Sequence, residues 1–122
     1  MVNTSHLLIP LLMPNQSQKE VIINEAFIII DVMLNRGVKS INVDTPPNST
    51  QNGDIYIVGD KPTEEWVTKN KHIAYYQDGW RFIKPNEGMQ FWVNDKDQIY
   101  IYNGERWISF ADSIIQILKN QS

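Results

Sequence analysis

The pattern of apolar and polar positions divides the chain into stretches of different character. Residues 1–16 hold two prolines and the apolar run Leu7–Met13, which predicts an extended arm that packs against its own domain or a neighbouring subunit. Residues 17–36 predict a helix, residues 38–110 predict short strands separated by turns, and residues 111–119 predict a short amphipathic helix.

Together these stretches predict an α+β fold in a single domain over residues 1–122. The arm and the long helix are expected to pack on an antiparallel meander of short β-hairpins, which the short C-terminal helix follows. A chain of 122 residues with 42% hydrophobic content can build one core and has little room for a second.

The predicted long helix is unusually apolar. Ser17 and Glu20 have the spacing of a capping box at its start, and Gly37 is suited to the left-handed residue that ends a helix. A surface helix normally has one apolar stripe, whereas most of this circumference is apolar, so we expect cover on more than one side. Its polar positions share one face: Glu20, Asn24, Asp31 and Asn35.

The predicted meander contains a weak internal repeat. Residues 73–82 and 99–110 each consist of an aromatic strand, a glycine turn and a Trp strand. We interpret them as stacked hairpins that each bury a Trp on the next. Strand alternation puts Tyr100 and Tyr102 on one face of their strand and Ile99 and Ile101 on the other. One of these two pairs is expected to face solvent or a partner.

Composition and charge exclude several classes of protein. The net charge of −3 gives no basic stripe for a nucleic acid. The absence of cysteine excludes disulfide scaffolds and thiol nucleophiles, and His6 and His72 are too few for a histidine-rich metal site. The apolar run near the N-terminus has no basic residue before it and is too short for a bilayer. We therefore expect a protein made in the cytoplasm without a signal peptide or membrane insertion.

Catalytic chemistry has little support in the sequence. Asp95, Asp97 and Glu105 lie near turns, where acidic residues are much commoner than catalytic pairs. His72 has no recognisable partner for nucleophilic catalysis. The prediction is a protein that is not an enzyme and has no catalytic residues, no metal site and no cofactor.

An ordered set of motifs over about residues 7–110 resembles a domain of unknown function, family 2793, of bacteriophages, prophages and gene transfer agents. The matching motifs are, in chain order, Pro10-Leu11, Gln16-Ser17-Gln18-Lys19, Asn24-Glu25-Ala26, Asp31, Pro46-Pro47, Gly53–Gly59, Ile73-Ala74, Asp78–Phe82, Pro85, Gly88, Trp92-Val93, Asp95, Tyr102, Gly104 and Trp107. Such domains occur near the N-terminus of tail-fibre, tail-spike and head-spike proteins. The resemblance implies an attachment or adaptor module, with a trimer favoured, that docks to other particle proteins and is located in a virion or phage-like particle.

Two groups of residues are candidates for contacts. The helix entrance and polar helix face supply Gln16, Gln18, Lys19, Asn24, Glu25 and Asp31. Their alternative role is to cap the helix and to satisfy neighbouring loop amides. The hairpin aromatics supply Tyr75, Trp80, Trp92, Tyr100, Tyr102 and Trp107. They could stack on sugars or meet a partner, and their alternative role is to form the core of a small β domain.

Three functions are compatible with these observations. The first is a structural adaptor of a phage-like particle that self-associates through the helix and the arm. The second is a small carbohydrate-binding module that recognises a cell-surface glycan through exposed Tyr and Trp rings. The third is a prophage remnant without a present function, because the family's longer receptor-facing region does not follow in this sequence.

Overall fold

The computed structural model describes residues 2–11, 19–34 and 37–121. The chain divides into two compact units, Met1–Arg36 and Gly37–Ser122, here called the helical unit and the β unit. Helices and strands together form an α+β fold, as predicted. The elements are α1 (Lys19–Leu34), β1 (Gly37–Val38), β2 (Ser40–Val43), β3 (Ile55–Val58), a 3-10 turn (Glu64–Trp66), β4 (Ile73–Tyr76), β5 (Trp80–Ile83), β6 (Gln90–Val93), β7 (Gln98–Tyr102), β8 (Trp107–Ser109) and α2 (Phe110–Asn120).

The arm of the helical unit doubles back on itself instead of running extended. Asn3 and Pro10 form an antiparallel bridge. The Thr4 amide donates to the Ile9 carbonyl at 2.9 Å. Leu8, between them, has a φ of 57°. This left-handed residue closes the turn and allows a segment of ten residues (2–11) to satisfy part of its own backbone.

The end of the long helix differs from the prediction. The capping residue Ser17 lies outside the described residues. Gly37 was predicted to end the helix in a left-handed conformation, and this is wrong, because it lies in β1 opposite Trp92 without a positive φ. A Cβ atom there would lie 3.0 Å from the side-chain oxygen of Asn94, an exposed residue, which is a tight contact.

The β unit contains two four-stranded sheets, where one continuous meander was predicted. Their strand orders are β2-β3-β4-β5 and β1-β6-β7-β8. Each sheet begins with a parallel pair, β2 with β3 and β1 with β6, and continues antiparallel. Residues 38–43 were predicted to start the meander, and instead residues 37–43 supply one edge strand to each sheet. Around Lys39 the chain changes partners, since its amide donates to the Ile55 carbonyl while the Val38 carbonyl accepts from the Asn94 amide, both at 2.8 Å.

Alternating apolar residues of both sheets form the core of the β unit. The largest fully buried side chains are Trp66, Phe91, Ile55, Ile57, Ile73, Val38, Val58 and Val93. The first sheet is covered on both faces, since the neighbours Ile57 and Val58 of β3 point to opposite faces and both are fully buried, Val58 in a cluster with Trp66. Burial of each such aliphatic side chain contributes about 1.5–3 kcal/mol.

The first sheet, β2-β3-β4-β5, carries a cluster of aromatic rings. Trp66 from the 3-10 turn meets Trp80 at right angles, with ring centroids 5.0 Å apart, and Tyr56 lies 5.9 Å from Trp66. Burial raises the pKa of the Tyr56 phenol above its ordinary value. The Trp66 indole nitrogen is buried and meets no hydrogen-bonding partner among the described residues.

The two repeat hairpins belong to different sheets. Trp80 packs within its own sheet against Tyr76, with centroids 5.2 Å apart, and Trp107 packs against Tyr102, also at 5.2 Å. Each Trp therefore packs on an aromatic ring of its own hairpin and also has a partner outside its sheet: Trp80 meets Trp66, and the Trp107 indole donates to the Lys71 carbonyl. The interpretation of stacked hairpins that each bury a Trp on the next is wrong for the repeats at 73–82 and 99–110, because they lie in different sheets.

Candidate functional site

The buried carboxylate of Asp31 holds the arm against α1. Its Oδ1 atom accepts from the Thr4 hydroxyl at 2.8 Å and from the Leu7 amide at 2.6 Å, and its Oδ2 atom accepts from the His6 amide at 3.0 Å. Asp31 is 2% exposed. A buried carboxylate requires such donors, so this network explains why an acidic residue stands in an apolar helix. Two roles were predicted for Asp31. The structure shows the one in which neighbouring loop amides donate hydrogen bonds to its carboxylate.

Thr4 completes the same network from the arm. Its hydroxyl donates to Asp31 and accepts from the Ile9 amide at 2.8 Å. The side chain is buried, and the hydroxyl uses both its donor and one acceptor position. The sequence analysis did not identify Thr4. Its position, a hydroxyl residue shortly before an apolar run without polar side chains, was the feature that could have indicated this role.

The opposite side of α1 is apolar and exposed. At 100° per residue, Ile22, Ala26, Ile29, Ile30 and Leu34 lie on one face. From Ile22 to Leu34 this face carries no polar or charged residue, and Ile22 is 73% exposed. The exposed large apolar side chains of α1 are Val21, Ile22, Ile23, Ile29, Ile30 and Leu34.

The amphipathicity of α1 is therefore inverted relative to an ordinary surface helix. Asn24 and Glu25 are half-buried and Asp31 is buried, whereas every isoleucine of α1 except Ile28 is exposed. This contiguous exposed apolar surface is a candidate interaction site. Gln16 and Gln18 lie outside the described residues, and Lys19 is the first residue of α1.

The two hairpin aromatics of the first sheet are placed in or beside the core. Tyr75 on β4 is 3% exposed, which leaves its ring no surface for a ligand. Trp80 on β5 is half-buried in the cluster with Trp66 and Tyr56. Packing in the core therefore explains why these two side chains are aromatic.

The four aromatics of the second sheet, β1-β6-β7-β8, remain accessible in part. Tyr102 is paired with Trp107, and Tyr100 with Ser109, so Tyr100, Tyr102 and Trp107 share one sheet face. Trp92 points to the opposite face and is exposed. Tyr100, Tyr102 and Trp107 are half-buried. One of the two residue pairs on β7 was expected to face outward. Neither pair is fully exposed, since Ile99 is exposed but Ile101 is half-buried.

A polar cleft of about 450 Å³ lies between the β7–β8 hairpin and α2. Its walls combine the Tyr100 and Trp107 rings with hydrogen-bonding and charged side chains. The residues that line it are Asn42, Tyr100, Arg106, Trp107, Ile108, Ser109, Asp112, Ile115, Gln116 and Lys119. Two of the lining residues, Tyr100 and Trp107, were predicted from the sequence as site residues. The polar residues of the cleft were not.

The local fold explains the composition of this cleft. Ser109 caps α2 by accepting from the Asp112 amide at 3.1 Å, which fixes the start of the helix directly after β8. Asp112, Gln116 and Lys119 follow at helical spacing and form one wall. That spacing was the signal by which the sequence could have indicated this wall.

A second, apolar groove of about 330 Å³ lies on the other face of the second sheet. It is lined mainly by Trp92, Ile99, Phe110 and Ile114. In α2, every residue of which is described, no side chain is buried. The groove therefore lies under a helix whose apolar side is only partly covered.

The acidic and histidine residues considered for catalysis have structural contacts. Asp95 accepts from the Ser40 hydroxyl at 2.6 Å, and His72 Nδ1 lies 3.1 Å from the Asn70 carbonyl oxygen. Asp97 is a turn residue with a φ of 52°. Within the described ranges, no three His, Asp or Glu side chains are grouped to hold a metal ion. In the same part of the chain, neither helix has the length and apolar character of a membrane span.

Comparison with known proteins places the chain in a family without an assigned function. The model of a family described as proteins of unknown function, DUF2793, matches residues 23–108. The match begins within α1 and ends within β8, so it includes the exposed helix face, both sheets and part of the cleft. No curated protein matches the chain.

Proposed function

The chain belongs to the DUF2793 family, whose function is unknown, and we propose that it is a non-enzymatic adaptor of a phage-like particle that self-associates through α1. The exposed apolar face of α1 carries this proposal. A helix whose acidic and amide residues are turned inward while four of its five isoleucines are exposed needs a protein surface to cover it. The particle context comes from the resemblance of the motifs to domains of tail fibres and spikes.

The spacing along the exposed face suits packing between identical helices. Ile23, Ala26, Ile30 and Met33 follow one another at intervals of three, four and three residues. This is the repeat that places side chains along the seam of a coiled coil. Isoleucine stands only at the first and third of these positions, with Ala26 and the half-buried Met33 at the others, so the spacing supports helix association and the trimer rests on the resemblance alone.

The arm supports the interface by fixing which side of α1 faces outward. With Asp31 bonded to Thr4, His6 and Leu7, the polar side of α1 is occupied. Rotation of the helix to bury its isoleucines would expose these bonds and leave the carboxylate without its donors. The apolar face is thereby available to other subunits or to a docking protein of the particle.

The experiment that tests self-association is the solution mass of the full chain by size exclusion with light scattering over a range of concentrations. The expected result is an oligomer, with a trimer favoured, and Ile30→Glu converts it to a monomer because the charge falls within the apolar seam. Val67→Glu is the matched control, since Val67 is exposed in the β unit. A wild-type chain that stays monomeric at the highest concentration contradicts the proposal.

The particle assignment has its own test. Particles purified from a culture of the source bacterium are expected to contain the chain, detected by mass spectrometry and retained after a salt wash. An oligomer that never co-purifies with particles would contradict the adaptor role and leave self-association intact.

A further inference from the structure

The cleft between the β7–β8 hairpin and α2 is equipped to bind a small polar ligand. Its volume of about 450 Å³ falls within the range of about 300–1,000 Å³ typical of small-molecule sites. It lies wholly in the β unit and shares no residue with the apolar face of α1. From its lining, we infer that this cleft binds an acidic saccharide, a sugar that carries a carboxylate.

The mixture of side chains in the cleft matches the surfaces of a sugar ring. A pyranose has faces of C–H groups, which pack on aromatic rings, and edges of hydroxyls, which need donors and acceptors. Tyr100 and Trp107 provide the rings, while Asn42, Asp112 and Gln116 provide hydrogen-bonding groups. An apolar ligand would leave these polar groups unsatisfied, which disfavours it.

The charges of the cleft favour an anionic ligand. Arg106 and Lys119 line it together with one carboxylate, that of Asp112. The local balance is positive in a chain whose net charge is −3. Arg is the side chain best suited to bind a carboxylate through two parallel hydrogen bonds. The carboxylate of a uronic or sialic acid would meet this requirement.

The main aromatic wall is held in place before any ligand binds. The Trp107 indole nitrogen donates to the Lys71 carbonyl at 2.8 Å, and the ring makes tilted contacts with Phe91 and Tyr102, with centroids at 6.0 and 5.2 Å. A ring fixed in this way loses little conformational freedom on binding. Because the indole N–H is already used, Trp107 can offer a ligand its ring surface and not its donor.

The test is an NMR titration of the full, ¹⁵N-labelled chain with acidic oligosaccharides: trigalacturonate, a hyaluronan tetrasaccharide and sialyllactose. At least one of them is expected to shift the Trp107 indole signal, assigned through the Trp107→Phe variant, at millimolar concentration or below. Maltotriose is the neutral control, and triglutamate controls for carboxylates without sugar rings. Both are expected to bind more weakly than the acidic sugar.

Charge variants provide the second arm of the test. Arg106→Gln is expected to weaken acidic-sugar binding about tenfold, because one charge-assisted pair is lost. Lys84→Gln removes the same charge from an exposed position outside the cleft and should leave binding unchanged. No shift with any acidic oligosaccharide, equal binding of maltotriose or triglutamate, or full affinity in Arg106→Gln overturns the inference. The monomeric Ile30→Glu chain should bind as the wild type does, so that this result stands apart from self-association.

Discussion

The hydroxyl of Thr4 donates to Oδ1 of Asp31 at 2.8 Å and joins two residues 27 positions apart in the sequence. Both side chains are buried. The bond connects the arm to α1 and, with the two amides that also donate to Asp31, determines which side of the helix is sheltered. Through this contact a single carboxylate controls where the apolar surface of the helical unit points.

Asp31→Asn is expected to release the arm. The neutral amide accepts less strongly than the carboxylate and introduces donors of its own, so the helical unit should lose about 2–4 kcal/mol. Hydrogen exchange of the His6 and Leu7 amides is the local measurement, and their protection should fall sharply in the variant.

A double-mutant cycle separates this bond from general damage. Thr4→Val removes the donor while keeping the shape of the side chain, and its cost should not add to that of Asp31→Asn. Fully additive costs, or amides that remain protected in Asp31→Asn, would show that the carboxylate does not hold the arm.

The same substitution is expected to destabilise the protein strongly on the buried side of α1 and hardly at all on its exposed side. Ile28 is 9% exposed and Ile22 is 73% exposed. Ile28→Lys buries an unpaired charge and should destabilise the helical unit by more than about 3 kcal/mol. Ile22→Lys should change the stability of the separated chain by less than about 0.5 kcal/mol, since it lies at the surface.

Chemical denaturation followed by circular dichroism measures both effects. The chain should be compared at concentrations at which it is monomeric, because assembly itself adds stability. Similar losses in the two variants would mean that the helix face has been assigned wrongly.

Local patterns in the sequence identified most elements but not how they pair. The aromatic strands at 73–76 and 98–102 and the C-terminal helix were predicted because turn residues and alternating apolar positions mark them locally. The parallel pair of β1 with β6 joins Gly37 to Trp92, and no local pattern reports such a distant partner. The division into two sheets follows from that pairing and was therefore not predictable.

The candidate surfaces illustrate the same limit. The excess of apolar residues in α1 was visible in the sequence, and so was Asp31 on its polar side. Which face would be covered depends on the donors of Thr4 and the arm amides, which is a tertiary choice. In the cleft, Arg106 follows a turn and Lys119 lies in the last turn of α2, and only the direction in which α2 leaves β8 brings both to the same cleft.

The role of Gly59 leads to a prediction about steric space. A Cβ atom at this position would collide with the Asp44 carboxylate and lie 3.1 Å from the Asn42 backbone carbon. Gly59→Ala should therefore cost about 1–3 kcal/mol through overpacking. Thermal unfolding measures this cost. If the collision is responsible, the double variant Gly59→Ala with Asp44→Ala costs less than the sum of the two single variants.

Gly88→Ala provides the comparison for that experiment. Gly88 has a φ of 94° and nothing within 4 Å of an added Cβ, so its substitution tests backbone strain without a collision. Removal of the Asp44 side chain should give Gly88→Ala no relief. A Gly59→Ala chain as stable as the wild type would show that the loop around Asp44 moves aside freely.

Trp66 permits a prediction about an unsatisfied polar atom. The ring is fully buried, yet its nitrogen has no hydrogen-bonding partner in the described part of the chain. Trp66→Phe loses ring volume but also removes a buried N–H whose desolvation costs about 1–3 kcal/mol. The two effects oppose each other, so Trp66→Phe should cost about 1 kcal/mol, whereas Trp66→Ala should cost about 3–5 kcal/mol. Equilibrium urea unfolding of the β unit distinguishes the two variants. A Phe variant nearly as damaging as the Ala variant would mean that the indole N–H gains stability from its contacts, with the edge-on ring of Trp80 as the nearest aromatic neighbour.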